Sequence, residues 1–341
     1  MNRSTCLLLF AWLAFGPIAP SAAEEDPDAA SFSIARRLGR GVNMGNALEA
    51  PREGEWGMEL KEEYFQAIAK AGFQSVRIPI RWSAHAKVEE PYTIDATFFE
   101  RVDWGIEQAL KNGLMVVINV HHYNELDAYP AKHGDRLVAF WKQISARYRR
   151  QSDSVVFEIY NEPHDKLVDH WNDLFPKALA AIRATNPTRT VIVGPTHWNR
   201  IDDLPLLKLP ESDRHILVTI HYYEPFKFTH QDAPWVNGSK PWRGTRWAGT
   251  QLEKQVVTET FTKAAEWGKK NRRPLYLGEF GAFEAADMSS RATWTNHVAR
   301  EAERLGIAWS YWEFGSGFGA YNRAAREWRE PLREALVPKT K

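Results

Sequence analysis

Cysteine is almost absent from this chain, and its scarcity excludes several kinds of chemistry. The 341 residues include a single cysteine, Cys6. One thiol cannot form an intramolecular disulfide, and a structural zinc site built on cysteine needs two or more of them. We therefore expect a fold that is stabilised by its apolar core alone.

Net charge is also nearly absent, because 44 lysines and arginines face 43 aspartates and glutamates. Such a balance gives no long-range field that would attract nucleic acid or an acidic membrane, so neither is an expected partner. Aromatic residues are plentiful by contrast, with 15 Trp, 11 Tyr and 17 Phe. The charge balance predicts an uncharged or weakly charged partner, and tryptophan is a residue that stacks on flat apolar ligand faces.

Long apolar runs are missing except near the N-terminus, where residues 7–18 follow Arg3. Small residues and then acidic residues come next, a pattern that predicts a signal peptide over residues 1–23. The run is too short for a spanning helix, and an uncleaved anchor is the alternative. Because Cys6 lies in this segment, the mature chain, residues 24–341, would be a thiol-free secreted or periplasmic protein, which we expect to be a monomer.

Short β-branched segments alternate along the chain with longer segments of helical period. The predicted strands are 41–45, 75–82, 115–122, 155–161, 190–196, 215–223, 274–280 and 307–314. Eight such repeats in a chain of this length predict an α/β fold, a single-domain (β/α)8 TIM barrel. A doubly wound open sheet is the alternative, but it usually has a Gly-rich phosphate loop after its first strand, and GVNMGNA at 41–47 is not one.

Polar and aromatic residues collect at the C-terminal ends of these strands, where a barrel of this kind has its active site. Two of them are carboxylates, Glu162 after the fourth strand and Glu279 after the seventh. A pair of carboxyl groups on either side of a bond is what glycosidic hydrolysis requires, and their separation decides between retention and inversion. Sequence gives no distance, and a salt-bridge partner on a turn is the alternative for Glu279.

Histidines occur at the same strand ends, but their spacing does not favour a metal. His121 and His122 are adjacent, so on a strand their side chains point to opposite faces. The chain has no His-x-His or His-Glu-x-x-His motif, and we expect neither a metal nor a cofactor. The histidines would instead bond hydroxyl groups or tune the carboxylates, with buried structural histidines as the alternative.

Arg77 lies inside an apolar strand, where an unpaired guanidinium would be very costly. One interpretation pairs it with Glu158, deeper in the fourth strand. The other directs it to the mouth of the barrel, where a cation would keep a nucleophilic carboxylate ionised. We favour the second.

Seven segments occur in order along the chain: GVNMGNALEAPREGEWG, RIPIRW, VVINVHHY, FEIYNEPH, TIHYYEPFKFTHQ, LYLGEFGAF and SYWEFGSGFG. Together they resemble glycoside hydrolase family 5, and within it the bacterial endo-β-1,4-glucanases, some of which also cut mannan. The likeness extends from about residue 32 to residue 337. It implies a retaining, metal-free reaction on a (β/α)8 barrel.

The resemblance also implies roles for individual residues. Glu162 would be the acid/base, Glu279 the nucleophile, and Asn161 the donor to the sugar 2-hydroxyl. Arg77 resembles an arginine near the nucleophile. The other residues that match family motifs as substrate contacts are Asn46, Glu49, His121, His122, His221, Tyr223, His230, Trp235 and Trp312.

The resulting hypothesis is a secreted endo-β-1,4-glucanase that acts on soluble or amorphous chains, because no appended carbohydrate-binding module is evident in the sequence. A mannanase, or an enzyme that cuts both polymers, is the first alternative, since glucose and mannose differ only at the 2-hydroxyl. A non-catalytic sugar-binding barrel would be marked by loss of one carboxylate, and both are present. A metal-dependent barrel hydrolase is the remaining alternative.

Overall fold

The computed structural model describes residues 28–339. The predicted signal peptide, residues 1–23, lies outside the described residues. The strands are β1 (Arg40–Asn43), β2 (Ser75–Ile78), β3 (Met115–Asn119), β4 (Val155–Glu158), β5 (Val191–Val193), β6 (Ile216–His221), β7 (Leu275–Glu279), β8 (Ala308–Tyr311), β9 (Tyr321–Asn322) and β10 (Glu327–Trp328).

Helices connect these strands. They are α1 (Ala29–Leu38), α2 (Glu62–Lys70), α3 (Ala96–Lys111), α4 (Asn124–Ala128), α5 (Pro130–Arg147), α6 (Trp171–Arg183), α7 (Thr196–Asn199), α8 (Phe226–Thr229), α9 (Gln251–Asn271), α10 (Met288–Arg304) and α11 (Glu330–Leu336). Short 3₁₀ turns lie at Trp82–His85, Asp165–Asp169, Ile201–Leu206 and Lys240–Trp242. Within residues 28–339, no helix combines the length and the apolar character needed to cross a membrane.

Strands β1 to β8 form a closed parallel barrel in chain order, and β8 pairs with β1 to complete it. Each connection between successive strands contains at least one helix, although the one between β5 and β6 contains only the short α7 and a 3₁₀ turn. The predicted (β/α)8 barrel is thus confirmed and the open sheet is excluded. The strands end earlier than the sequence predicts. The second, predicted over 75–82, leaves the ladder at Ile78, because the residues beyond it turn into the loops that surround the mouth.

The barrel has two apolar layers. The outer layer lies between strands and helices and includes fully buried side chains of α5 such as Leu137, Phe140 and Trp141. Replacing one such side chain by alanine typically costs about 2–5 kcal/mol of unfolding free energy. The inner layer contains Val117 and other inward-facing residues of the strands, and α1 packs against it through residues such as Leu38.

Helix α1 therefore fills the N-terminal end of the barrel, where the inner layer is apolar. Toward the other end the inward-facing residues become polar, with Asn43, Arg77 and Glu158 all fully buried. The barrel interior is therefore apolar at its N-terminal end and polar beneath the C-terminal mouth.

Candidate active site

A cavity of about 1060 Å³ opens at the C-terminal mouth of the barrel. It is lined by eleven of the thirteen residues that the sequence predicts for the site: Asn46, His121, His122, Asn161, Glu162, His221, Tyr223, His230, Trp235, Glu279 and Trp312. The other two, Glu49 and Arg77, are fully buried and do not line it. Strand ends that are far apart in sequence are thus brought together around one cavity.

Glu162 and Glu279 face each other across this cavity, with His221 between them. One carboxylate oxygen of each glutamate and one ring nitrogen of His221 lie within 4.8 Å of one another. The Nδ1 atom of His221 is 2.6 Å from Oε1 of Glu162 and 3.7 Å from Oε2 of Glu279. The β6–β7 register shifts between Ile220 and His221, which pairs His221 directly with Glu279.

The carboxylate of Glu279 is fixed by two donors. Nη1 of Arg77 donates to Oε1 at 2.8 Å, and the hydroxyl of Tyr223 donates to Oε2 at 2.9 Å. Only 6% of the Glu279 side chain is exposed, against 22% for Glu162. Glu279 is thus the rigid, charge-paired member of the pair, and Glu162 is the more accessible one.

Arg77 makes both of the contacts that the sequence left open as alternatives, one with Glu158 and one with the carboxylate at the mouth. Its Nε and Nη2 donate to the two oxygens of Glu158 at 2.6 and 3.1 Å, while Nη1 reaches Glu279. The remaining hydrogen bonds go to the side-chain oxygens of Asn43 and Asn161, at 2.8 and 2.6 Å. The planar five-donor guanidinium is suited to such a cluster, which a lysine could not reproduce.

The contact with Arg77 also orients Asn161. Arginine has no acceptor, so the oxygen of the Asn161 side chain must face the guanidinium and its amide nitrogen must point elsewhere. Asn161 lines the cavity, and its backbone carbonyl accepts a hydrogen bond of 2.6 Å from Asn199. The side chain can therefore present an N–H donor to a ligand.

The two glutamates differ electrostatically. Burial raises the pKa of Glu162 to about 7, against the opposing effects of His164 and Arg77. Burial also raises the pKa of Glu279 above its ordinary value, although the interactions with His221 and Arg77 and the Tyr223 hydrogen bond oppose that rise. Because Arg77 touches Glu279 and not Glu162, the proton of the pair is held by Glu162.

His221 completes the arrangement as a neutral ring. Burial lowers the pKa of His221 to about 4, in spite of the attraction of Glu279 for the protonated form. A neutral imidazole and a carboxyl group can share one proton across the 2.6 Å contact with Glu162. The histidine therefore orients Glu162 without adding a permanent charge.

These three side chains also form the one metal-binding geometry among residues 28–339. Two carboxylates and an imidazole are suitable ligands for a divalent cation. However, Glu279 already contacts the guanidinium of Arg77, and a second cation beside it would be repelled. Electrostatics at this site therefore favours proton transfer over metal binding.

The structure corrects the predicted position of Glu49. Its carboxylate is fully buried beneath the cavity wall and accepts hydrogen bonds from the backbone N–H groups of Asn46 and Ala47, the latter at 3.0 Å. Burial raises the pKa of Glu49 to about 8. Glu49 thus holds the turn that presents Asn46, whose φ is 67°, and does not itself face the cavity.

Aromatic rings form the cavity walls. The ring of Trp312 lies parallel to that of His121, with an interplanar angle of 8° and centroids 5.9 Å apart. Trp235 is 57% exposed. Trp56 and Trp198, which are 39% and 48% exposed, also line the cavity, and the sequence did not single out either as a ligand contact.

The position of Trp198 depends on unusual backbone geometry. Residues 197 and 198 in α7 have left-handed φ and ψ angles, which turn the Trp198 side chain into the cavity. Its ring stacks on that of His164 at a centroid distance of 5.0 Å. The sequence places Trp198 just after a strand, but it carries no signal for this local conformation.

Comparison with known proteins gives the family. The family Cellulase (glycosyl hydrolase family 5) matches residues 39–317. Endoglucanase H of Acetivibrio thermocellus is 37% identical over 312 residues, which cover 89% of this chain and 33% of that protein. Cellulase/esterase CelE of the same organism is 28% identical, over 89% of this chain and 40% of that protein.

Solved structures agree with this match. The endoglucanase Cel5A of Thermotoga maritima, in complex with cellobiose, superposes with a TM-score of 0.89 at 49% identity, over 90% of this chain and all of that one. The same enzyme has been solved with mannotriose, at 48% identity, a TM-score of 0.89 and the same coverage.

The fold and the facing glutamates define a glycoside hydrolase. The chain belongs to glycosyl hydrolase family 5, the cellulase family. It spans about a third of the length of Endoglucanase H and 40% of that of CelE.

Proposed function

We propose that the protein is a secreted endo-β-1,4-glucanase that hydrolyses its substrate with retention of configuration. The observation that carries the proposal is the approach of Glu162 and Glu279, whose nearest ligand oxygens lie within 4.8 Å. Retaining enzymes have their carboxyl groups about 5–5.5 Å apart, whereas inverting enzymes need roughly 6.5–9.5 Å to admit a water molecule. The separation supports a direct attack by one carboxylate.

In the first step, Glu162 gives its proton to the glycosidic oxygen as the bond from that oxygen to the anomeric carbon breaks. A carboxylate oxygen of Glu279 bonds to the anomeric carbon from the other side and forms a glycosyl ester. The raised pKa of Glu162 suits it to be the acid. The hydrogen bonds from Arg77 and Tyr223 hold Glu279 in its attacking orientation.

In the second step, Glu162 is ionised and takes a proton from water. The water oxygen bonds to the anomeric carbon, the ester bond breaks, and Glu279 leaves as a carboxylate. Arg77 stabilises that carboxylate again as its charge returns. Two displacements restore the original configuration, and both glutamates end in their starting states.

The cavity favours a polymer cut at internal bonds. Trp198 lies after β5, and Trp56 lies after β1, so exposed rings extend from the glutamates toward different sides of the barrel. Sugar rings have apolar faces that stack on such side chains. Sugars can therefore bind on both sides of the scissile bond, which is the requirement of an endo-acting enzyme.

Mannan is a second candidate substrate, and a specific observation favours it. Cel5A of Thermotoga maritima has been solved with both cellobiose and mannotriose, and it is 48–49% identical to this chain. Glucose and mannose differ at the 2-hydroxyl, and Asn161 offers an N–H donor beside the glutamates. One amide donor can bond that hydroxyl in either orientation, so we propose that both polymers are accepted.

The test is release of reducing ends from carboxymethylcellulose, barley β-glucan, glucomannan and galactomannan, each measured with and without a chelator. Activity on the glucans alone supports an endoglucanase, and comparable activity on galactomannan supports dual specificity. The Glu279→Ala variant serves as the inactive control. Activity that is lost with the chelator and restored by a divalent ion would contradict the metal-free mechanism.

Secretion is tested separately. The N-terminal residue of protein recovered from the periplasm or medium of an expressing bacterium should follow residue 23. Full-length protein retained in the membrane fraction would identify the N-terminal segment as an uncleaved anchor.

A further inference from the structure

The turn that follows β5 contacts the strand end that carries Glu162. This β5 turn consists of residues 197–199, whose φ angles of 50°, 59° and 57° all lie in the left-handed region. Asparagine is one of the few residue types that adopt this region readily, so Asn199 suits its place in the turn. Its side chain is fully buried and does not line the cavity. Any effect of Asn199 on the reaction must therefore act through other residues.

Two hydrogen bonds from the β5 turn reach the chain on either side of Glu162. Nδ2 of Asn199 donates to the backbone carbonyl of Asn161 at 2.6 Å. The backbone N–H of Trp198 donates to the carbonyl of Pro163 over a longer distance, 3.4 Å. The Asn161 carbonyl belongs to the same planar peptide unit as the N–H of Glu162. The bond from Asn199 thus fixes the peptide plane from which the Glu162 side chain projects.

The Asn161 carbonyl needs this donor because the regular strand has already ended. The N–H of Ile159 donates to Ile192 beside β5 at 3.0 Å, whereas the N–H of Asn161 donates to Val120 after β3 at 2.9 Å. Residues two apart on a regular strand bond to the same side, so the backbone reverses between these positions. The carbonyl of Asn161 is left outside the ladder, and the side chain of Asn199 takes the place of a strand donor.

The fold leaves space for the Asn199 amide. A Cβ atom on Gly194 would lie 1.9 Å from Oδ1 of Asn199, so position 194 accommodates the amide only as glycine. Within residues 28–339 that Oδ1 atom has no hydrogen-bond partner. The Nδ2 bond to Asn161 is thus the contact that determines how the amide is oriented.

Asp203 anchors the β5 turn from its other side. Its carboxylate accepts a hydrogen bond from the Thr196 hydroxyl at 3.0 Å and contacts Nδ1 of His197. The residues immediately before Asn199 are therefore held in place. A donor on a fixed turn can hold the peptide plane of Glu162, which a donor on a mobile loop could not.

We propose that Asn199 is a positioning residue for the acid/base, which holds the Glu162 carboxyl group where it can protonate the glycosidic oxygen. The inference rests on the proposed function. Glu279 is held separately, by Arg77 and Tyr223. Loss of the Asn199 amide should therefore impair proton donation and leave the attack by Glu279 intact.

Asn199→Gly tests this role, because it removes the amide and glycine adopts the left-handed region freely. Two substrates separate proton donation from nucleophilic attack. Cellotetraose has a sugar leaving group that must be protonated, whereas the leaving group of dinitrophenyl β-cellobioside departs without a proton. Since kcat/KM reports the steps up to this first bond cleavage, its value for cellotetraose should fall about 10–10²-fold. The value for the dinitrophenyl substrate should stay the same.

Asn199→Asp is the second variant. It keeps the shape of the side chain and tolerates the left-handed turn, but an ionised carboxylate has no donor for the Asn161 carbonyl. It should show the same selective loss, and it replaces Asn199→Gly if that protein does not fold. The ratio of the two kcat/KM values is the quantity compared, because it does not depend on the fraction of protein that is folded.

Asn186→Gly is the matched control. Asn186 is also buried, and its Nδ2 donates to the backbone carbonyl of Ser145 at 2.8 Å, but it lies before β5, at the opposite end of that strand from Asn199. Its loss should lower the midpoint of urea unfolding and leave the ratio of the two kcat/KM values unchanged. An equal loss on both substrates in the Asn199 variants would overturn the proposal, as would an unchanged kcat/KM for cellotetraose.

Failure of the proposed function would give a different result. The unmodified protein would then leave both substrates and the corresponding mannose compounds intact, which overturns the proposed function and the role of Asn199 with it. If only the mannose compounds are cut, the comparison is made with mannotetraose and dinitrophenyl β-mannobioside. A loss confined to mannotetraose then supports the role of Asn199.

Discussion

Arg77 donates a 2.8 Å hydrogen bond to Glu279 from a position that is completely shielded from solvent. The same guanidinium holds Glu158 through two further hydrogen bonds. One buried cation thus joins a structural carboxylate to the candidate nucleophile, so its removal should affect both stability and activity.

Arg77→Ala should lower the free energy of unfolding by about 3–5 kcal/mol, because two carboxylates are left buried without a counter-charge. Urea unfolding measures this loss. Glu158→Gln is the informative comparison, since it breaks the deeper half of the cluster and leaves the contact with Glu279 in place. It should destabilise the protein while retaining most of kcat. An Arg77→Ala protein with unchanged stability would contradict this account of the cluster.

The pH dependence of kcat/KM should be bell-shaped. Glu162 must be protonated, so activity is lost as the pH rises through its pKa of about 7. Glu279 must be ionised, so activity is lost as the pH falls through its pKa, which burial raises above the ordinary value of 4.5.

Glu162→Gln should remove the alkaline limb and lower polysaccharide hydrolysis by about 10²–10⁴-fold. For an aryl substrate with a good leaving group, kcat/KM should fall less in this variant, because the leaving group departs without being protonated. Equal losses on both substrates, or an alkaline limb that persists in the variant, would show that Glu162 is not the acid.

His164 should tune that alkaline limb. Its Nδ1 is 2.6 Å from the backbone carbonyl of Glu162, and its charge opposes the rise that burial causes in the pKa of Glu162. His164→Gln should therefore move the limb to higher pH. His170→Gln is the matched control, because His170 is exposed and does not line the cavity. An alkaline limb at the same pH in both variants and in the unmodified protein would show that His164 does not affect the pKa of Glu162.

Glu49 should make stability depend on pH. Its pKa is raised from 4.5 in the unfolded chain to about 8 in the folded protein, so folding favours the protonated form. The stabilisation is complete below about pH 4.5 and is lost as the pH rises through 8.

Glu49→Gln should accordingly reduce the slope of unfolding free energy against pH across this window. Part of the slope should remain, because burial also raises the pKa of Glu313 to about 7. Glu266→Gln, at an exposed position on α9, should leave the slope unchanged. The prediction is refuted by identical slopes in the Glu49→Gln and unmodified proteins.

The barrel and most of the cavity could be predicted from sequence because both follow from local patterns. A strand such as Val155–Glu158 is an apolar run, and the polar residues after it must lie at the mouth once the barrel closes. Glu162 and Asn161 were placed in this way.

Other features depend on contacts that no local pattern encodes. Glu49 looks like a ligand contact because it lies near the mouth in sequence, but its carboxylate turns inward to two backbone N–H groups. Trp198 reaches the cavity only through a left-handed turn. A cavity of about 430 Å³ beside the first forms only where the loop after β8 and the β9–β10 hairpin meet Trp56, which is distant in sequence.

The central claim is that Glu279 attacks the anomeric carbon directly, and product stereochemistry tests it most directly. Proton NMR of a cello-oligosaccharide digest, recorded before mutarotation, shows which anomer forms first. We predict the β-anomer, the result of two displacements through a glycosyl ester on Glu279. Initial release of the α-anomer would mean that water attacks in a single displacement, and would contradict the account.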